Sequence, residues 1–151
     1  MLFDQNVILF DKEASDKQEA LSILADSLYK AGSVTEEFKP AILKRESNFP
    51  TALNTETIGV AIPHTDADKV ITPQIGFMRL KTPVKFLQMG DNSEVQVKLI
   101  FMLALKKSDD QLKMLQTLMG LFQDKETLAK LETINDKDEF IKIMENVGII
   151  K

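Results

Sequence analysis

Ile58-Gly59-Val60-Ala61-Ile62-Pro63-His64-Thr65-Asp66 decides how the rest of the chain is read. Ile58, Val60 and Ile62 alternate with the small residues Gly59 and Ala61, the period-two pattern of a strand. Both faces are apolar or small, which predicts a strand over Thr57–Pro63 covered on both sides. Pro63 removes a backbone donor and stiffens the exit. The residue after it is His64, the only histidine among 151 residues. Imidazole is the side chain whose ordinary pKa lies nearest neutrality, so His64 is the first candidate for chemistry near pH 7.

Upstream, Val7–Phe10 reads as a short strand near a sheet edge. Ser15 and Gln18 have capping-box spacing and open a helix expected over Asp16–Ala31. Leu21, Leu24 and Leu28 form its apolar stripe, with Ala20 and Ile23 beside it; Gly32 is the natural stop. Thr35 is the next candidate cap, but Pro40 would then lack a hydrogen bond at about the fifth helical position. The helix therefore begins nearer Phe38, or with a distorted turn, and continues to about Glu46 before Ser47-Asn48-Phe49-Pro50 breaks it.

Downstream, Thr65–Lys69 is a polar loop and Val70-Ile71 a short strand candidate. Pro73–Lys81 is a strand with Ile75, Phe77, Arg79 and Lys81 on one face, Met78 and Leu80 on the other. Gly90–Ser93 is a turn. Glu94–Lys106 is the clearest strand: Val95, Val97, Leu99, Phe101, Leu103 and Leu105 alternate along one face, and Ile100, Met102 and Ala104 make its second half apolar on both, as in a central strand. Ser108 and Gln111 repeat the capping-box spacing ahead of a helix striped by Leu112, Leu115, Met119 and Phe122. A shorter helix follows over Lys125–Leu131. Asn135 caps a last one with Phe140, Ile143, Met144 and Val147. This order predicts an α/β (α+β) single domain over residues 1–151, a mixed sheet covered by helices.

The chain is 44% hydrophobic and 28% charged, the balance of a globular domain with a core. A net charge of -4 argues against nucleic acid as the main partner, because phosphate-binding surfaces need a basic excess. There is no cysteine, hence no disulfide framework, thiolate metal site or cysteine nucleophile. The start lacks the basic-then-apolar run of a signal peptide. The longest apolar run, Leu99–Leu105, is strand length, short of the roughly 20 residues of a spanning helix. The expected location is cytoplasmic.

Glycine-rich nucleotide loops and the Gly-x-Ser-x-Gly elbow are absent. His64, Asp66 and Asp68 lie close in sequence, but one histidine without cysteine is a poor transition-metal set, and a solvated polar loop is the simpler reading. The other reading of His64 is nucleophilic: a neutral imidazole nitrogen attacks phosphorus and holds a phosphoryl group covalently. Such a group needs an exposed tip on a rigid support and a donor for the equatorial oxygens. Arginine fits that task. Arg45 is the candidate, and Arg79 is the only other arginine. A structural histidine, and an arginine that only complements a helix dipole, account for the same residues.

Gly59-Val60-Ala61-Ile62-Pro63-His64 resembles the phosphorylation-site motif of the enzyme IIA domains of the mannitol/fructose class (type 2) in the bacterial phosphoenolpyruvate-dependent sugar phosphotransferase system. Leu43-Lys44-Arg45-Glu46, with Phe49-Pro50-Thr51-Ala52-Leu53, resembles the family's Arg-Glu segment and the Pro-Thr leading to the active strand. Gln111-Leu112 to Phe122-Gln123-Asp124 is similar to its helix after the long strand. The resemblance implies that the histidine carrier protein HPr donates a phosphoryl group to Nε2 of His64, that Arg45 offsets its charge, and that a IIB protein accepts it for sugar phosphorylation through the membrane component IIC. It implies no metal and no organic cofactor. Glu46, Thr51, Thr65 and Gln111 are supporting candidates. Thr65 stands where mannitol and fructose types carry glycine or alanine, and Gln111 where they often carry a second histidine; Gln111 hydrogen-bonds at the site or serves only as a helix cap. Both departures look like the galactitol-type branch, so a polyol is the first expectation for the sugar. The alternatives are a nitrogen-regulatory IIA that signals through its phosphorylation state, and a non-catalytic binding module.

Overall fold

The computed structural model describes residues 2–149. A five-stranded mixed sheet runs through the molecule in the order β1-β4-β5-β3-β2. Its strands are β1 (Ile8–Lys12), β2 (Ala52–Asn54), β3 (Gly59–Ala61), β4 (Gln74–Leu87) and β5 (Glu94–Ala104). β1 is parallel to β4, β4 antiparallel to β5, β5 parallel to β3, and β3 antiparallel to β2.

One face is covered by α1 (Lys17–Lys30) and α2 (Phe38–Asn48). Leu21, Leu24, Leu28, Phe38 and Ile42 pack there on Met78, Phe86, Ile100 and Met102. The other face is covered by α3 (Ser108–Phe122), α4 (Lys125–Thr133) and α5 (Lys137–Asn146). There Leu118, Leu121, Leu131, Phe140 and Met144 pack on Val60, Ile62, Phe77, Leu99 and Phe101. Phe77 anchors this second core, with ring centroids 5.1 Å from Phe101 and 4.4 Å from Phe140. Apolar residues on both faces of β5 thus serve two helical layers, as its sequence requires.

Several local expectations change. Asp16, not Ser15, caps α1: its carboxylate accepts from the Glu19 amide, while the Glu19 side chain accepts from the Ser15 amide. α2 starts at Phe38, so Pro40 is its third residue, where no intrahelical donor is needed. The helix runs on to Asn48, past the expected stop. β2 was not legible in three residues. The Thr57–Pro63 strand is only Gly59–Ala61 long, and Val70 makes a single bridge with Val34. β4 extends beyond Lys81 to Leu87. Lys107 and Asp136 stand at the starts of α3 and α5, displacing Ser108 and Asn135 from the predicted cap positions.

Two corrections concern faces. Val95 and Val97 belong to the α1–α2 core, whereas Leu99, Phe101 and Leu103 belong to the α3–α5 core. The pairing of β5 shifts between Val97 and Leu99 against both β3 and β4, so an irregularity at Lys98 turns the row over. On α3, Leu112 and Met119 face outward and the packed stripe is Leu115, Leu118, Leu121 and Phe122.

Candidate active site

His64 follows directly from how the short strand ends. β3 stops at Ala61, and the chain stays on the sheet because the Leu103 amide donates to the Pro63 carbonyl at 2.9 Å and His64 bridges Leu103. The imidazole is half-buried. Its Nδ1 lies 2.9 Å from the Ile62 carbonyl oxygen. A carbonyl can only accept, so Nδ1 carries the proton and donates it. In the neutral ring the lone pair therefore sits on Nε2, which makes no hydrogen bond among the described residues. This is the tautomer a nucleophile at Nε2 requires.

The end of α2 is tied to the same strand exit. β2 pairs Ala52 with Ala61, which sets the preceding Thr51 beside Ile62. The Thr51 hydroxyl accepts from the Ile62 amide at 3.2 Å and donates to Glu46 Oε1 at 2.8 Å. The Thr51 amide donates to Glu46 Oε2, also at 2.8 Å. Glu46 is 1% exposed. Burial pushes its carboxyl up to about 7, against the downward pull of the two Thr51 hydrogen bonds and of Lys17.

Arg45 is adjacent in sequence, but on a helix successive side chains diverge by about 100°. It points away from that buried carboxyl and is half-buried. Its guanidinium lies over the Phe49 ring, 4.6 Å from the centroid. Its Nε is buried without a hydrogen-bond partner, and no carboxylate pairs with it among the described residues. A planar fork with donors to spare suits an incoming anion. Phe49 has a role that neither the helix break nor the family resemblance assigns to it: its ring is the platform under Arg45.

Thr65 is half-buried just past His64, and its hydroxyl makes no hydrogen bond among the described residues. α3 emerges from the end of β5 that carries Leu103, so its first turn rises on the His64 side of the sheet. Gln111 is the fourth residue of that helix, one place past the position a capping box uses, and its amide bonds the Lys107 carbonyl. The capping explanation of Gln111 therefore fails, and its half-buried side chain is uncommitted among the described residues. Asp68 is engaged by Lys69 at 2.8 Å. No group of three or more histidine, cysteine or acidic side chains is gathered to hold a metal among the described residues.

Arg79 stands apart. It is 2% exposed and every guanidinium nitrogen is bonded: to Asp11 at 2.9 and 3.0 Å, to the carbonyls of Leu131 and Ile134, and to Asn135. Asp11 reaches it from a left-handed backbone position, φ 53°. With all donors committed it is a structural clamp, which leaves Arg45 as the arginine able to meet a ligand.

The fold is thus a three-layer α/β domain whose mixed sheet carries the imidazole of His64 at a strand exit, with Nε2 unbonded among the described residues. The family model described as phosphoenolpyruvate-dependent sugar phosphotransferase system, EIIA 2, matches residues 1–147, and the chain belongs to that family. It is 32% identical over 130 residues to the galactitol-specific EIIA component of Escherichia coli (strain K12), covering 84% of this chain and 87% of that one. Its fold superposes on enzyme IIAMTL in the complex with phosphorylated enzyme IIBMTL from Escherichia coli, with a TM-score of 0.79 at 22% identity over 95% of this chain and 97% of the other. It also matches nitrogen regulatory protein IIA-Ntr from Neisseria meningitidis, with a TM-score of 0.80 at 25% identity over 95% and 96% of the two chains. Among the described residues no helix is long and apolar enough to cross a membrane.

Proposed function

We propose that this chain is a cytoplasmic phosphoryl carrier that accepts phosphate from phospho-HPr on Nε2 of His64 and passes it to a IIB protein, serving uptake of a polyol of the galactitol type through IIC. The observation that carries the reading is the hydrogen bond from His64 Nδ1–H to the Ile62 carbonyl, which leaves the Nε2 lone pair free. In the transfer, that pair forms a bond to phosphorus as the donor's own P–N bond breaks, and the bonding electrons return to the donor imidazole. The positive charge that develops on the His64 ring is shared with the Ile62 carbonyl through Nδ1–H. Arg45 supplies donors to the equatorial oxygens. Thr65 and Gln111 have side chains uncommitted elsewhere and are candidates for further phosphoryl contacts. The exposed apolar residues Phe49 and Leu112 lie on the segments that carry Arg45 and Gln111, and fit a surface that docks two carriers in turn.

Similarity to the galactitol-specific component supports the polyol assignment. A nitrogen-regulatory role would use the same residues and draws support from the match to IIA-Ntr. Gene neighbourhood discriminates the two: finding IIB and IIC genes beside this one would favour transport over signalling. The decisive experiment is labelling with phosphoenolpyruvate, enzyme I and HPr. One acid-labile phosphoryl group per chain is expected, and His64→Ala abolishes it; stoichiometric labelling of that variant rejects the reading.

A further inference from the structure

Glu46 is a costly residue for a stable fold. Its carboxyl is buried, no lysine or arginine lies within ion-pairing distance among the described residues, and both oxygens bond one residue, Thr51. An apolar side chain of similar size would fill the same space without desolvating a carboxyl. What the carboxyl achieves is to hold Thr51 by two bonds, at amide and hydroxyl. The same hydroxyl then accepts from the Ile62 amide. Ile62 is the residue whose carbonyl receives His64 Nδ1–H. The geometry points to Glu46 and Thr51 as positioning residues that act through Ile62 to set the tautomer and orientation of His64.

The ladder runs carboxyl, hydroxyl, Ile62 amide, Ile62 carbonyl, imidazole, with separations of 2.8, 3.2 and 2.9 Å at its three hydrogen bonds. The Ile62 amide and carbonyl belong to different peptide units, so the coupling is steric and not electronic: Thr51 holds Ile62 at its nitrogen, and that fixes where its carbonyl points. The coupling matters because Ile62 lies past the end of β3, outside the regular ladder of the sheet, and Pro63 after it has no N–H to add. Without the threonine hydroxyl, the Ile62 amide loses its partner. Its carbonyl then shifts, and the imidazole is free to rotate or to move its proton to Nε2, which cannot then attack phosphorus.

This assignment of roles rests on the phosphoryl-carrier reading, but its first test does not. The nitrogen-15 shifts of His64 in the unphosphorylated protein report the tautomer directly. Wild type is expected to be the Nδ1–H form when neutral. Thr51→Val, which removes the hydroxyl at nearly constant shape, is expected to give a mixture of both tautomers. Thr51→Ser is expected to restore the wild-type shifts. In transfer from phospho-HPr, Thr51→Val should lower kcat about tenfold with KM for the donor unchanged, and Thr51→Ser should recover it. A purely structural role would predict wild-type shifts and kcat in every folded variant. Retention of the Nδ1–H tautomer and of kcat in Thr51→Val overturns the proposal. If that variant does not fold, Glu46→Gln is read the same way, since it loosens the grip on Thr51 while keeping the residue's shape. If wild type accepts no phosphoryl group, the carrier reading fails while the tautomer measurement still decides the ladder.

Discussion

Two neighbouring residues of α2, Arg45 and Glu46, are sent in opposite directions by the helical turn, and each carries its own consequence. Arg45 keeps a buried Nε without a partner and rests on Phe49. Arg45→Ala is expected to leave thermal stability nearly unchanged and to slow transfer from phospho-HPr about 100-fold, the scale of losing a donor to developing oxyanion charge; single-turnover kinetics measure it. Glu46 is read instead in stability. Its carboxyl sits near 4.5 when unfolded and about 7 when folded. Between those values the folded state holds a proton that the unfolded chain has released, so stability falls as pH rises through that window. The effect approaches about 3 kcal/mol when complete. Glu46→Gln cannot titrate, so denaturant titrations from pH 4.5 to 7.5 should show the variant gaining on wild type as pH rises. His64 and Arg45 were both legible as residue types in a motif. The hydrogen bond that frees Nε2, and the stacking of Arg45 on Phe49, were not, because they depend on where two backbone segments pass each other.

Among the elements, β3 leads into the candidate site and is only three residues long. It lies between β5 and the three-residue β2, and Gly59 marks how close it runs to β5. A Cβ at that position would fall 2.2 Å from the Gln96 carbonyl oxygen and 2.6 Å from the Val95 side chain. Gly59→Ala should therefore push β3 off β5 and cost on the order of 3 kcal/mol, seen as a lower urea midpoint at unchanged slope. The same close approach sits beside the register shift at Lys98 that moves Val97 and Leu99 to opposite cores. Strict alternation from Val95 to Leu105 hid that shift, since every residue in the row is apolar and suits either core. Caps fared similarly: Ser15 and Asp16 are both acceptable N-caps, and which one is used depends on the direction in which the chain enters the helix.

For the molecule as a whole, the two helical layers are joined to the sheet by different means. The α1–α2 layer is held by apolar packing, and the loop after His64 is stitched to the α1–α2 turn by Ser33, which accepts from the Ile71 and Thr72 amides and donates its hydroxyl to the Thr72 carbonyl. The α3–α5 layer is also pinned by Arg79, which reaches from β4 to the α4–α5 connection and to Asp11 at the end of β1. Arg79→Met leaves the buried Leu131 and Ile134 carbonyls without this donor and should cost on the order of 3 kcal/mol, the scale of unsatisfied buried acceptors; Asp11, itself exposed, is left in contact with water. A lowered thermal midpoint with His64 still able to accept a phosphoryl group is the expected result. In the sequence Arg79 is only the other arginine beside Arg45, and its full set of partners shows why it serves the fold.

Local rules were enough for the elements that repeat themselves. The 3.6-residue stripe of α1, the glycine that ends it, the apolar run of β5 and the proline-histidine exit of β3 are each properties of contiguous residues, and they define a helix-covered mixed sheet with one histidine at its rim. The family motif around Arg45 and His64 is likewise contiguous in two short pieces. Pairing across the chain lay beyond those rules: Ala52 against Ala61, Thr51 against Ile62, Leu103 against Pro63 and His64, and Arg79 against Asp11 and the α4–α5 connection. These contacts join residues 9 to 68 positions apart, so no local spacing encodes them. They arise when the two cores close on the sheet, and they convert a histidine after a proline into an imidazole held with Nε2 free.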